Sequence, residues 1–81
     1  MTKLLINKTF GQNIRRIRYS CDMTQEQTVA QLQALGSPLS RGTYSQIEMG
    51  IRNVYVSDLV ALQKIFGVDF SAFFEDIPTS R

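Results

Sequence analysis

The chain has 81 residues, of which 43% are hydrophobic and 20% charged, the composition of a small folded domain rather than of a disordered segment. It contains no histidine, and its single cysteine excludes an internal disulfide and a cysteine-rich zinc site. Residues 4–6 are too short an apolar run for a signal peptide, and no run approaches the ~18 residues of a membrane span. We therefore expect one soluble, cytoplasmic domain over residues 1–81 that uses no metal or cofactor and is not an enzyme.

The net charge of +2 conceals an asymmetry along the chain. Residues 1–56 hold seven basic and three acidic side chains, whereas residues 57–81 hold two basic and four acidic ones. A basic first part beside an acidic tail indicates one face turned toward a polyanion and another turned away from it. Ordinary solvated surface charge is an equally good interpretation of these counts.

The first two predicted helices have clear start signals. Apolar residues spaced by four, three and four predict helix 1 over residues 7–20, with Asn7 or Thr9 as its cap. Residues 24–27, Thr-Gln-Glu-Gln, form a capping box, so helix 2 begins there and runs through Leu35. The apolar residues that define helix 1 are Phe10, Ile14, Ile17 and Cys21.

The third predicted helix is short and has two unlike faces. Ser40 caps it, and it runs to Met49 and ends at Gly50. At 100° per residue, its apolar stripe of Tyr44 and Ile47 points to the core. The opposite face is small and polar, which is unusual for a helix that only fills a core and indicates that something approaches it closely. This outer face consists of Gly42, Ser45, Gln46 and Met49, with Arg41 at the first turn.

Two further helices complete the predicted fold. Helix 4 begins near a cap at Ser57 and ends at Gly67, and Asp69 caps a short fifth helix. Ile77-Pro78 ends the ordered chain. The apolar residues of helix 4 are Leu59, Leu62, Ile65 and Phe66, and those of the fifth helix are Phe70, Phe73 and Phe74.

The order of these motifs resembles the lambda-repressor-like, Cro/Xre-type family of helix-turn-helix regulators. The similar stretches are residues 23–27, residues 40–50 and Arg52-Asn53, and the resemblance extends over about residues 10–76. It implies an all-α, compact five-helix domain of bacterial or phage origin, with the helix-turn-helix at helices 2 and 3. It also implies sequence-specific binding of double-stranded DNA and regulation of transcription, as a dimeric repressor on a palindromic operator.

The resemblance also implies individual roles. Arginine can bridge the two acceptors of guanine, and glutamine can bond adenine as donor and acceptor together. The positions that match base-reading ones are Arg41, Gly42, Ser45 and Gln46. Phosphate contacts are implied for Gln25, Thr43, Arg18, Arg52 and Asn53. Arg18 and Glu48 also match an ion pair between helices 1 and 3.

The end of the chain carries more large apolar side chains than a short terminal helix can bury alone. We expect some of them at a homodimer interface, although all could fill the monomer core; they are Phe70, Phe73, Phe74 and Ile77. This patch also leaves open an alternative function, an antitoxin or adaptor that uses the same fold mainly to bind a protein partner. The chain has no room for an effector domain, so we expect no small-molecule ligand.

Overall fold

The computed structural model describes residues 7–77, which form four α-helices and a short 3-10 helix. The all-α class is confirmed for this part of the chain, but the fifth predicted helix is a 3-10 helix, so the α-helices number four. The apolar run at residues 4–6 and the chain end at residues 78–81 lie outside the described residues. The elements are α1 (Lys8–Ser20), α2 (Gln25–Ala34), α3 (Arg41–Glu48), α4 (Val56–Phe66) and the 3-10 helix (Phe70–Phe74).

Side-chain caps begin the first three helices. The Asn7 carboxamide accepts the Phe10 N–H at 2.8 Å, so Asn7 rather than Thr9 is the cap of α1. Both bonds of the predicted capping box are present at the start of α2. The Ser40 hydroxyl accepts the Thr43 N–H at 3.2 Å and starts α3. Helix α4 begins at Val56, before the predicted cap at Ser57.

The helices share one hydrophobic core. Helix α1 packs on α3 and on the 3-10 helix, while α2 packs on α3 and α4. Every element therefore contributes to the same interior, and α3 is held from two sides. The hydrophobic residues with no accessible surface are Ile14, Leu32, Tyr44, Leu62 and Phe73.

Two glycines let α1 approach the end of α3 closely. A Cβ on Gly11 would lie 2.5 Å from the Ile47 carbonyl oxygen, so no side chain fits between the helices there. Gly50 has a φ of +76° and closes α3, with its N–H donating to Ile47 and the Ile51 N–H donating back to Gln46. A Cβ on Gly50 would lie 2.5 Å from the Lys8 Cα. These contacts set the direction in which α3 points.

A buried amide ties the C-terminal segment to α1. The Asn13 Nδ2 donates to the carbonyl oxygens of Phe73 at 3.0 Å and Glu75 at 2.8 Å. Arg16 adds an exposed ion pair to Glu75 at 3.3 Å. The segment from Phe73 to Glu75 is thereby fixed on α1. None of the helices within residues 7–77 has the length and apolarity needed to cross a bilayer.

Candidate nucleic-acid interface

The two faces of α3 differ as its sequence predicts. Tyr44 and Ile47 are buried, whereas Arg41, Gly42 and Gln46 are exposed and Ser45 is half-buried. The four predicted base-reading residues therefore lie together on one side of a helix whose other side is in the core. With Met49, which is 59% exposed, they make up the outer face of α3.

Arg41 forms an ion pair with the neighbouring helix. Its Nε lies 3.3 Å from Glu26 Oε1 in the first turn of α2, and both side chains are more than 60% exposed. Such an exposed pair is easily exchanged for another partner. The ion pair still directs the Arg41 side chain toward the start of α2. At this end of α2, the backbone N–H groups of the first turn have no partner within the helix.

The loop after α3 contacts the same face. Arg52 Nη1 donates to Gln46 Oε1 at 3.3 Å, and both residues are exposed. Asn53 follows it and is also exposed. Arg52, a predicted phosphate contact, is therefore a neighbour of Gln46, a predicted base contact. Their hydrogen bond turns the side-chain carbonyl of Gln46 toward the loop.

A buried ion pair joins α1 to the core-facing side of α3. Arg18 Nε donates to Glu48 Oε2 at 2.7 Å and Arg18 Nη2 to Glu48 Oε1 at 3.1 Å, with the side chains 6% and 3% exposed. The third nitrogen, Nη1, donates to the Met23 carbonyl at 2.8 Å. The expected phosphate contact by Arg18 is therefore corrected, because every nitrogen of the buried guanidinium already bonds to the protein.

The electrostatics of this pair are mutually supporting. The hydrogen bond to Glu48 raises the pKa of Arg18 despite burial. Burial alone would raise the pKa of Glu48, but the hydrogen bonds from Arg18 and Gln25, together with the nearby Tyr44 hydroxyl and the charge of Arg18, lower that pKa below its ordinary value. The nearby Tyr44 hydroxyl has no hydrogen-bond partner of acceptable geometry within the described residues. Burial, together with the adjacent carboxylate, raises the pKa of Tyr44.

Two predicted phosphate contacts have partners inside the protein. Gln25 Nε2 donates to Glu48 Oε1 at 3.1 Å, and the Thr43 hydroxyl accepts from Ser40 at 3.0 Å. Both residues are half-buried. An amide carries two N–H donors and an acceptor, so Gln25 keeps capacity for an anion at the start of α2.

Sequence reasoning missed Tyr19, an exposed aromatic residue among the arginines of α1. Its hydroxyl accepts from Arg15 Nη2 at 3.1 Å, and the Arg18 guanidinium carbon lies 4.6 Å from its ring centre. The hydrogen bond from Arg15 lowers the pKa of this hydroxyl. A tyrosine one helical turn after an arginine could have indicated the pair.

The predicted dimer residues separate into two groups. Phe73 has no accessible surface and is a core residue, so its expected place at an interface is corrected. Phe70 and Phe74 are 43% and 44% exposed, and Ile77 is half-buried. The Phe74 ring packs on one side against Phe10, with 5.4 Å between ring centres.

Comparison with known proteins identifies the fold. A family model described as helix-turn-helix matches residues 14–73. The chain belongs to the helix-turn-helix family. The resemblance to Cro/Xre-type regulators is thereby confirmed, and with it the general function of a DNA-binding regulator of transcription. No curated protein matches the chain.

A solved structure shares the fold. The restriction-modification controller protein C.AhdI from Aeromonas hydrophila superposes with a TM-score of 0.72 at 24% sequence identity. The match covers 83% of this chain and 94% of that chain. The chain therefore shares nearly the whole fold of that controller protein.

Proposed function

We propose that residues 1–81 act as one DNA-binding unit, a cytoplasmic repressor that binds a palindromic operator as a homodimer. The observation that carries this proposal is the outer face of α3. The exposed Arg41, Gly42 and Gln46 and the half-buried Ser45 lie on one side of a helix that is anchored in the core on its other side. An α-helix fits the major groove, where the base edges present donors and acceptors that distinguish all four base pairs.

Each residue of this face has a distinct use in the groove. Arg41 donates to the two acceptors of guanine, and Gln46 pairs with a purine through its carboxamide. Ser45 bonds either kind of group, since a hydroxyl both donates and accepts. Gly42 has no side chain and leaves open space beside α3, so the helix can come close to the bases.

The phosphate contacts surround this face. Gln25 lies at the start of α2, where the helix N-terminus favours an anion. Arg52 and Asn53 follow α3, and Thr43 lies in its first turn. Arg15, whose guanidinium donates to Tyr19, is an exposed basic residue of α1 that takes the phosphate contact in place of the buried Arg18.

Dimerisation follows from the length of sequence that one helix can read. One α3 contacts only a few base pairs, whereas a two-fold dimer places two helices about 34 Å apart and reads two half-sites. The exposed rings of Phe70 and Phe74 supply apolar surface for the contact. They lie in the acidic part of the chain, which phosphates repel.

The same two rings support the second candidate function. An antitoxin or adaptor would use Phe70 and Phe74 to hold a different protein, and DNA would then be a secondary ligand. The two proposals differ in whether the chain alone recognises a DNA sequence.

Selection from random duplex DNA by the full chain tests the proposal. We expect enrichment of an inverted repeat whose half-sites are one helical turn apart. A single enriched half-site would refute the dimer. Binding without any sequence preference would refute the operator-reading role and favour the adaptor.

A further inference from the structure

The outer face of α3 ends in an apolar residue. Met49 is 59% exposed, a large apolar side chain on a face that is otherwise polar. Its backbone keeps the α-helical conformation, with φ −75° and ψ −11°. Seven residues at 100° each bring it to within about 20° of Gly42, roughly 10 Å further along the axis. Met49 therefore belongs to the same surface as the base-reading residues.

The position of Met49 is fixed by its neighbours. Gly50 and Ile51 close α3 with hydrogen bonds to Ile47 and Gln46. A Cβ on Gly50 would meet the backbone of Lys8, so the end of α3 lies close against the start of α1. The adjacent Arg52 side chain turns toward Gln46, on the same face.

In the major groove, the C5-methyl of thymine is the apolar group on the base edges. We propose that Met49 is a specificity-determining residue that packs against a thymine methyl at the end of each half-site. This inference rests on the proposed function and adds a preference that the polar residues of α3 do not provide. Methionine suits the contact because its unbranched thioether chain adapts to the surface it meets.

Replacement of thymine by deoxyuridine tests this directly, because it removes the methyl group and leaves the base-pairing edge unchanged. The probe is the duplex obtained by selection. In each modified duplex, deoxyuridine replaces thymine at a single position, in both half-sites. Wild type, Met49→Ala and Leu35→Ala are titrated on each duplex. Leu35 is 54% exposed at the end of α2 away from Gln25, so its variant is the matched control.

We expect deoxyuridine at one position to weaken wild-type binding about fourfold per half-site, the effect of one buried methyl group. The Met49→Ala variant should bind the thymine duplex more weakly than wild type by a similar factor. On the deoxyuridine duplex, it should bind as tightly as wild type does. Leu35→Ala should behave as wild type. Thermal melting of both variants confirms that each is folded.

Several results would overturn the inference while leaving the proposed function intact. These are a half-site without a preferred thymine, no effect of deoxyuridine at any position, or an equal further loss by Met49→Ala on both duplexes. The last result would place Met49 on the sugar-phosphate backbone. If wild type selects no DNA sequence, the proposed function fails first and this inference fails with it.

Discussion

The Arg18–Glu48 pair shows why a single residue's role depends on burial. The sequence resemblance implies both an ion pair and a phosphate contact for Arg18, and the two roles need different exposures. Close packing of α1 on α3, which Gly11 allows, encloses the guanidinium and leaves only the ion pair. Burial of this kind depends on contacts between residues 30 positions apart, which the local sequence pattern does not contain.

The lowered pKa of Glu48 predicts acid sensitivity. Because the folded pKa lies below the unfolded value of about 4.5, the stabilisation is fully present above that value. It is lost as the pH falls through the folded pKa. Denaturant titrations of wild type and Glu48→Gln between pH 7 and pH 3 should show converging free energies of unfolding as the pH falls, because protonation removes the carboxylate that the variant lacks.

Glu75→Gln is the matched control for this experiment. Glu75 also pairs with an arginine, but its side chain is 56% exposed, so its loss should leave the pH dependence close to that of wild type. The prediction is wrong if the stability difference between wild type and Glu48→Gln is the same at both ends of the pH range.

At the scale of the elements, local signals predict the helix starts well. Asn7, Thr24 and Ser40 all make the side-chain bonds that their positions indicate, because a cap involves residues only three apart. The fifth helix was not predictable in the same way. A segment of five residues closes few α-helical hydrogen bonds, and Phe70–Phe74 adopts the 3-10 form that is common in short pieces of helix. Its Phe73 carbonyl oxygen accepts from Asn13.

The different surroundings of Gly11 and Gly42 predict opposite effects of their substitution on stability. Gly11→Ala should lower the free energy of unfolding by about 1–3 kcal/mol, because its Cβ would overlap the carbonyl oxygen of Ile47. Gly42→Ala should raise it by about 0.5–1 kcal/mol, because its Cβ meets open space and alanine favours the helix. Denaturant unfolding measures both. A stabilising effect at Gly11 would show that the two helices are not in close contact.

At the scale of the whole molecule, we predict different effects for substitution of the buried Phe73 and of the exposed Phe74. Phe73→Ala should destabilise the fold by about 3–5 kcal/mol, because it removes a fully buried ring. Phe74→Ala should instead leave a folded chain with weaker association, because its ring is 44% exposed. Sedimentation with circular dichroism separates these results. A wild type that stays monomeric at high concentration, or a Phe74→Ala variant that associates normally, would contradict the dimer.

The sequence predicts which residues lie on the outer face of α3, but not which side chains from other elements contact them. Helical periodicity alone separates Tyr44 and Ile47 from the exposed side, and the structure confirms this division. Partners such as Glu26 for Arg41 and Arg52 for Gln46 come from the packing of α2 and the loop. They are side-chain contacts across elements, for which a periodic pattern carries no signal.

The central claim is that the outer face of α3 reads base edges, and Arg41 is its only charged residue. Selection from random duplexes, repeated with Arg41→Ala and with Arg16→Ala, tests it most directly. Arg16 is a matched control, since it is an exposed arginine of α1 that also forms an ion pair, with Glu75. We predict that Arg41→Ala loses the preference at one base position in each half-site, about 1–3 kcal/mol, while Arg16→Ala keeps the wild-type profile. An Arg41→Ala profile identical to that of wild type, with affinity reduced equally on all sequences, would contradict the account.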